Sequence, residues 1–330
     1  MKALVYTGPK QLVYKDVAEP NPSEGQALID LDCSGICGSD MHAFLGHDER
    51  RPAPLILGHE AAGVIQTGPE AGRRVTINPL VSCGVCEACQ EGRDNICPSR
   101  RIISMPPVEG SFSERIAMRM ENLVTVPDEI PLWQAALTEP MACGWHAVKL
   151  ALRLSYRAAD QMHAVVLGGG AIGIGSALSL AALGVTSVTV LETNPGRLAR
   201  LRQDLPQFES HASFEEAGSK APDLVIDAVG FAPTRQIATT IVKPGGIIAH
   251  IGLGEATGGL DVRRMTLQEI TFCGTYTYTA EDFRETAAAI FRGDFGDFKW
   301  VEQRSLSDGA QAFADLLDGR VDAGKIVLMT

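Results

Sequence analysis

Ala164-Val165-Val166-Leu167-Gly168-Gly169-Gly170-Ala171-Ile172-Gly173 is the stretch that decides the fold. Four apolar residues read as a buried strand, and the glycines that follow fit G-x-G-x-x-G. A helical run continues to Leu183, Gly184 turns the chain, and a second apolar run, Ser187–Leu191, ends at Glu192, nineteen residues after Gly173. Strand, glycine turn, helix and strand ending on an acid make a dinucleotide-binding unit. Gly168 allows the tight turn, Gly170 lets backbone approach a pyrophosphate, and Gly173 lets helix pack on strand. Ala171 and Ile172 open the helix, whose free N–H groups and positive dipole end suit phosphate. Glu192 is placed to accept from an adenosine ribose diol, and its charge repels a 2′-phosphate, which favours NAD over NADP. Arg197 and Arg200 pull the other way, as phosphate partners or as the polar face of the next helix. The plainer alternative is a structural βαβ turn with a solvated acid.

Ala164 to Leu191 carries no charge and is long enough to span a bilayer. Its punctuation argues for a soluble strand–helix–strand unit instead, because a buried parallel strand reads as an unbroken apolar run. No charged stretch precedes an apolar one at the start of the chain, so no signal peptide is expected. A net charge of −11 argues against nucleic acid or an anionic membrane as partner. Eight cysteines without a secretion signal point to a reducing, cytoplasmic setting that suits metal thiolates.

Outward from the glycine turn the texture divides the chain. Before about residue 130 short strands dominate, among them Lys2–Tyr6, Gln26–Cys33, Ala62–Gln66 and Arg74–Ile77, which predicts a β-rich, barrel-like domain. Later, helices alternate with the strands Leu224–Asp227, Gly246–Ile251 and Ile270–Gly274, the pattern of a parallel sheet wrapped by helices. Helices at Ala280–Phe291 and Asp308–Leu317 and a strand at Lys325–Met329 close the chain. We expect an α/β protein in three stretches: residues 1–145 as a catalytic domain, 146–290 as an inserted nucleotide domain, and 291–330 as a return to the first.

Two groups of residues carry metal chemistry. Cys83, Cys86, Cys89 and Cys97 follow C-x2-C-x2-C-x7-C, which fits a closed tetrahedral site, zinc by preference. A closed site braces a loop and leaves no position for substrate. Cys37-Gly38-Ser39-Asp40-Met41-His42 is followed by Gly58-His59-Glu60, and Glu139-Pro140 lies further on. Cysteine, histidine and a carboxylate make a three-ligand site with one open position. Each residue alone reads as core or loop.

Together these motifs resemble the zinc-dependent medium-chain dehydrogenases, especially the polyol branch of sorbitol- and idonate-type enzymes. The carrying motifs are Cys37 to His42, Gly58-His59-Glu60, the four-cysteine lobe, Glu139-Pro140 and the glycine turn with Glu192. The resemblance implies a GroES-like catalytic domain with a Rossmann domain inserted. It implies two zinc ions, one structural on the four cysteines and one catalytic on Cys37 and His59, with Glu60 or Glu139 as third ligand. It also implies NAD as hydride acceptor, zinc as Lewis acid on the alcohol oxygen, and Ser39 and His42 as a proton relay. Val229, Gly230, Ile251, Gly252, Leu253, Thr275 and Tyr276 would line the dinucleotide cleft, and Lys325 would reach the pyrophosphate. Phe44, Phe112 and Tyr278 are candidates for the substrate pocket and read equally well as core aromatics.

The implied reaction oxidises a secondary alcohol or polyol CH–OH group of a small molecule, in a homodimer or homotetramer. The chain departs from the polyol pattern at Gly274-Thr275-Tyr276-Thr277-Tyr278, where such enzymes often read Gly-Ser-Phe-Arg-Tyr. Without that arginine, amino alcohols and sugar phosphates stay open as substrates. A ferredoxin-like iron–sulfur reading fits worse, because its last gap is three residues and here it is seven. A non-catalytic NAD sensor would not need Cys37, His59, Glu60, Ser39 and His42.

Overall fold

The structure is a computed structural model that describes every residue except Ser219. The chain divides into two compact units. The first comprises Met1–Glu139, Thr279–Gly293 and Val301–Thr330; the second comprises Pro140–Tyr278 and Asp294–Trp300.

In the first unit, short strands separated by Gly and Pro turns form antiparallel sheets. The largest has the order Leu123–Thr125, Arg74–Ile77, Glu60–Ile65, Gln26–Gly35, Lys325–Met329, Val301–Ser305, with Arg115–Arg119 also paired to Gln26–Gly35. Its last pair, Lys325–Met329 with Val301–Ser305, is the exception and runs parallel. Gln11–Asp16, Lys2–Gly8 and Leu55–Ile56 form a separate three-stranded sheet. The C-terminal strand pairs with Gln26–Gly35 in antiparallel register, Leu328 opposite Ser34, so the end of the chain helps build the first unit. Leu4, Leu57, Phe112 and Phe313 fill one core; Ile29, Ile65, Val75 and Ile77 fill another.

The second unit holds a six-stranded sheet in which every neighbouring pair is parallel. Its order is Glu209–His211, Ser187–Leu191, His163–Leu167, Leu224–Asp227, Ile247–His250, Thr271–Gly274, or 3-2-1-4-5-6 counted along the chain. That order reverses direction beside the first strand, and ligands of such sheets bind at the carboxyl ends there. Successive residues Ala164, Val165 and Val166 are all fully buried, so both faces of the strand are covered and the uncharged run needs no membrane. Among the described residues no helix is long and apolar enough to cross one.

The helix after the glycine turn, Ala171–Ala182, is buried over most of its length. Its two serines stay satisfied by bonding back along the helix: Ser176 Oγ donates to Ile172 O and Ser179 Oγ to Gly175 O, each at 2.7 Å. The neighbouring helix Thr138–Leu154 meets it through glycines. A Cβ on Gly144 would lie 2.6 Å from the Ser176 nitrogen, and one on Gly175 would lie 3.0 Å from Met141 Cε.

The sequence pattern places helix Ala280–Phe291 with the nucleotide domain. It clusters with the first unit instead, because Asp94 Oδ1 and Oδ2 accept the Ala280 N–H at 3.2 and 3.1 Å and hold the helix start against the cysteine lobe.

Gly144→Ala should destabilise the chain by about 1–3 kcal/mol, the usual cost of overpacking a tight contact. A denaturant midpoint equal to wild type would show that the two helices can separate at no cost.

Candidate active site

The first metal-ligand set follows from strand register. Gly35 on Gln26–Gly35 pairs with Glu60 on Glu60–Ile65, so the residues just beyond each strand end, Cys37 and His59, arrive side by side. Gly58 makes the turn into His59 at φ +92°, and a Cβ there would press to 2.6 Å against the Phe112 ring, so only glycine fits. Cys37, His59 and Glu60 each offer a ligand atom, and these atoms lie within 4.8 Å of one another.

Asp40 holds this arrangement. It sits in the first turn of helix Gly38–Phe44 and is fully buried. Its Oδ2 accepts the Cys37 N–H at 3.0 Å, its Oδ1 accepts the Gly58 N–H at 3.1 Å, and His59 Nδ1 lies 3.4 Å from the same Oδ1. That last contact is an ion-pair approach, not an aligned hydrogen bond, and Nδ1 has no hydrogen-bond partner. Glu60 Oε2 is likewise buried without one. Burial opposes charge on His59, yet the Asp40 carboxylate and the Cys37 sulfur outweigh it and raise its pKa well above the ordinary value. Burial also opposes charge on Asp40, and His59 and Arg51 overcome it, so Asp40 stays ionised below the usual range. A pocket that favours positive charge and leaves the buried Glu60 Oε2 without a partner fits a small cation. With a thiolate, an imidazole and a carboxylate, the ligand set is that of zinc with one open position.

The other expected residues fall around this set. Ser39 Oγ is 3.5 Å from His59 Nε2. His42 lies in the last turn of the same short helix and is exposed. Glu139 is buried but lies outside the group of three. Lys325, expected at the pyrophosphate, is held within the first unit. Its Nζ donates to Glu60 Oε1 at 2.6 Å and to Ile36 O at 2.8 Å, and the residue is 5% exposed. Burial works against its charge, but Glu60, Cys37 and Glu139 raise its pKa on balance.

Phe44 and Phe112 take the core reading of the two that the sequence leaves open. Both stack edge-on against Phe313, at 5.2 and 5.9 Å between centroids, inside the apolar core, and the Phe112 ring also packs beneath Gly58. Tyr278 is 1% exposed. Arg51, which no sequence motif marks, is buried and donates to Ser39 O at 2.9 Å and Ser104 O at 3.0 Å, fixing the serine's turn. Asp40 carries a readable signal, an acid three residues after the helix cap.

Cys83, Cys86, Cys89 and Cys97 also converge within 4.8 Å. Cys86 and Cys89 sulfurs are 3.5 Å apart and those of Cys83 and Cys89 3.9 Å, bracketing the roughly 3.8 Å edge of a tetrahedron with Zn–S bonds of about 2.3 Å. The N–H groups of Val85 and Cys86 point at Cys83 and lower its thiol pKa to about 6, which prepares a thiolate ligand.

In the second unit, the three motif glycines have different causes. Gly168 takes φ +100°, and its N–H donates to Leu191 O at 2.8 Å. A Cβ on Gly173 would lie 1.8 Å from Gly168 O, so this glycine seats the helix. Gly170 opens on free space, so an approaching ligand is the remaining demand on it. Glu192 is 5% exposed; its Oε2 accepts the Gly169 N–H at 3.0 Å, its Oε1 accepts the Asn194 N–H at 2.7 Å, and Arg197 Nε lies 3.2 Å from Oε2. A cavity of about 550 Å³ lies here, lined by Gly168, Glu192, Arg197, Val229, Pro233 and Ile237, a size that suits a small cofactor moiety.

Gly230 and Gly252 serve chain packing: a Cβ on Gly230 would lie 2.1 Å from Gly252 O, and one on Gly252 would lie 2.1 Å from the Val229 carbonyl carbon. Beside them Asp227 Oδ1 accepts the N–H groups of Val229 and Gly230, and its Oδ2 faces His250 Nδ1 at 3.1 Å. Thr275 N–H donates to His250 O at 2.9 Å. Ile251 is half-buried and Leu253 is 81% exposed. Ala171 and Ile172 form the first turn of the helix, and Tyr276 follows the edge strand.

Fold and sites together define a class of protein: a GroES-like, metal-holding unit with an inserted dinucleotide unit. Residues 23–128 match the alcohol dehydrogenase GroES-like domain, and residues 171–292 match the zinc-binding dehydrogenase domain. The chain belongs to the zinc-dependent medium-chain dehydrogenases, in the polyol branch. It is 31% identical to the L-galactonate-5-dehydrogenase of Escherichia coli, over 89% of this chain and 88% of that one. It is 29% identical to the sorbitol dehydrogenase of Bacillus subtilis, over 84% and 82%. Among solved structures, the acetophenone reductase of Geotrichum candidum, in complex with NAD, superposes with a TM-score of 0.87 at 26% identity, covering 100% of this chain and 98% of that one.

Metal analysis should give about two zinc ions per chain. Cys37→Ser and Cys97→Ser should each lower the count to about one, and the double variant to none. A single variant that keeps both ions would remove its cysteine from a metal set.

Proposed function

We propose that the chain oxidises a secondary alcohol within a polyol or sugar acid, passing hydride to NAD. The observation that carries this reading is the convergence of half-buried Cys37 with buried His59 and Glu60. L-Galactonate and sorbitol, the substrates named for the relatives above, both carry hydroxyls on adjacent carbons. A zinc ion held by the three residues would supply Lewis acidity to the alcohol oxygen, and NAD would accept the hydride. Cys37 and His59 anchor the metal and Glu60 is the third ligand, with Glu139 the alternative.

Asp40 holds the turn before His59 by accepting the Gly58 N–H and places its carboxylate 3.4 Å from His59 Nδ1, an electrostatic partner for the ring. Ser39 Oγ takes the substrate hydroxyl proton. His42, three residues on and therefore on the same helical face, hands that proton to water. In the second unit Gly170 admits the pyrophosphate to the helix start at Ala171 and Ile172. Glu192 keeps acceptor capacity for the ribose diol, because its carboxylate has about four lone-pair sites and two N–H groups plus Arg197 engage only part of them. Arg197 is engaged by Glu192, which supports NAD over NADP. Val229, Gly230, Ile251, Gly252, Leu253, Thr275 and Tyr276 shape the rest of the dinucleotide site.

We further infer a homo-oligomer working in the cytoplasm. The parallel sheet ends on Thr271–Gly274, which pairs on one side only among the described strands, and such an edge invites a second copy.

Cys37→Ala should lower kcat/KM by about three orders of magnitude or more, the scale of losing a Lewis acid. NADH should still bind, as read by its fluorescence. Turnover near wild type in metal-free Cys37→Ala would sink the reading. For the cofactor, kcat/KM with NAD should exceed that with NADP, and Glu192→Gln should cut the NAD value by roughly 10- to 100-fold, the scale of a charge-assisted hydrogen bond. A wild-type preference for NADP would overturn the role of Glu192. Light scattering on a sizing column should report a dimer or tetramer, and a monomer at assay concentration would refute the edge-strand pairing.

A further inference from the structure

We propose that Lys325 is a positioning residue that grips Glu60 by Oε1 and so presents only Oε2 to the metal set. This deepens the reading above and rests on it. Lys325 and Glu60 are 265 positions apart in the chain, yet they form a fully enclosed pair at 2.6 Å, with side-chain exposures of 4% and 0%. A buried ion pair of this kind carries a desolvation cost and is often no more stable than an apolar pair, so its presence calls for a role beyond stability.

The geometry supplies one. Lys325 Nζ makes one hydrogen bond to Ile36 O, in the residue before Cys37, and a second to Glu60 Oε1. The ammonium is therefore fixed to the backbone that carries the first metal ligand, and Glu60 is fixed to the ammonium. Glu60 Oε2 is left buried with no partner. It hangs over Gly35, where a Cβ would lie only 2.0 Å from it, so the glycine clears the position that Oε2 takes. Lysine on one side and glycine on the other leave the carboxylate one pose. With Oε1 occupied, Glu60 can offer the metal a single oxygen, which keeps a position open for substrate. Lys325 also supplies a positive charge among the Cys37 sulfur and the Glu60 and Glu139 carboxylates, each of which acts on it electrostatically.

The test uses full-length protein loaded with cobalt in place of zinc. The spectrum of Cys37→Ser, which keeps only the four-cysteine site, is subtracted to isolate the first set. Lys325→Met, similar in length and uncharged, should free Oε1, let Glu60 bind through both oxygens, and raise the coordination number. The visible cobalt bands in the difference spectrum should then weaken and shift. Lys325→Arg, which keeps a donor and a charge, should stay close to wild type and guard against misfolding as the cause. In a Glu60→Gln background, adding Lys325→Met should change nothing more. A Lys325→Met spectrum identical to wild type, or a change that persists undiminished with Glu60→Gln, would overturn the proposal. If wild type and Cys37→Ser give the same spectrum, the metal site itself fails and the proposal falls with it, an outcome distinct from either of those.

Discussion

The first unit's chemistry depends on one buried carboxylate. Asp40 accepts the backbone N–H groups of Cys37 and Gly58 and stands 3.4 Å from the His59 ring. Those three residues belong to two chain segments that only antiparallel pairing brings together. Strand register sets them within reach to a few ångströms, and Asp40 removes the remaining freedom. Without it, the N–H groups of Cys37 and Gly58 would lose their acceptor, and the His59 ring would lose its nearest negative charge. Preorganisation of this kind lets a metal set exist before its ion arrives.

Around that anchor the charges are arranged in layers. Asp40 and the Cys37 sulfur make the interior attractive to a cation. Lys325 offsets part of that attraction at Glu60, and Arg51 offsets part of it at Asp40. The aromatic trio Phe44, Phe112 and Phe313 forms an apolar floor, and Gly58 has no side chain because Phe112 occupies that volume. The second unit works by shape, with glycines at Gly168, Gly170 and Gly173 serving turn, ligand and packing in that order.

How legible each part is in the sequence follows the distance over which it is built. The four-cysteine lobe can be read directly, because Cys83 and Cys97 bracket all four ligands in one short loop, and thiols so closely spaced in a reduced chain suit little but a metal ion. The parallel sheet is legible because strands buried on both faces must be apolar throughout, as at Ala164 to Leu167. The partner of Lys325 is not legible, since nothing local to Gly324-Lys325-Ile326 points to a carboxylate 265 positions earlier. Phe44 and Phe112 sit beside metal-ligand motifs in sequence, but proximity to a motif does not say which way a ring points. Helix Ala280–Phe291 follows a strand of the parallel sheet along the chain, which suggests the wrong unit; the Asp94 contact that assigns it is long-range.

Anomalous diffraction from crystals of the zinc-loaded protein, recorded on both sides of the zinc edge, tests the central claim most directly. The account predicts two peaks per chain, one enclosed by Cys83, Cys86, Cys89 and Cys97, the other about 2.3 Å from Cys37 Sγ and about 2.0 Å from a His59 ring nitrogen. A fully loaded crystal with density at the four cysteines and none between Cys37 and His59 would contradict it.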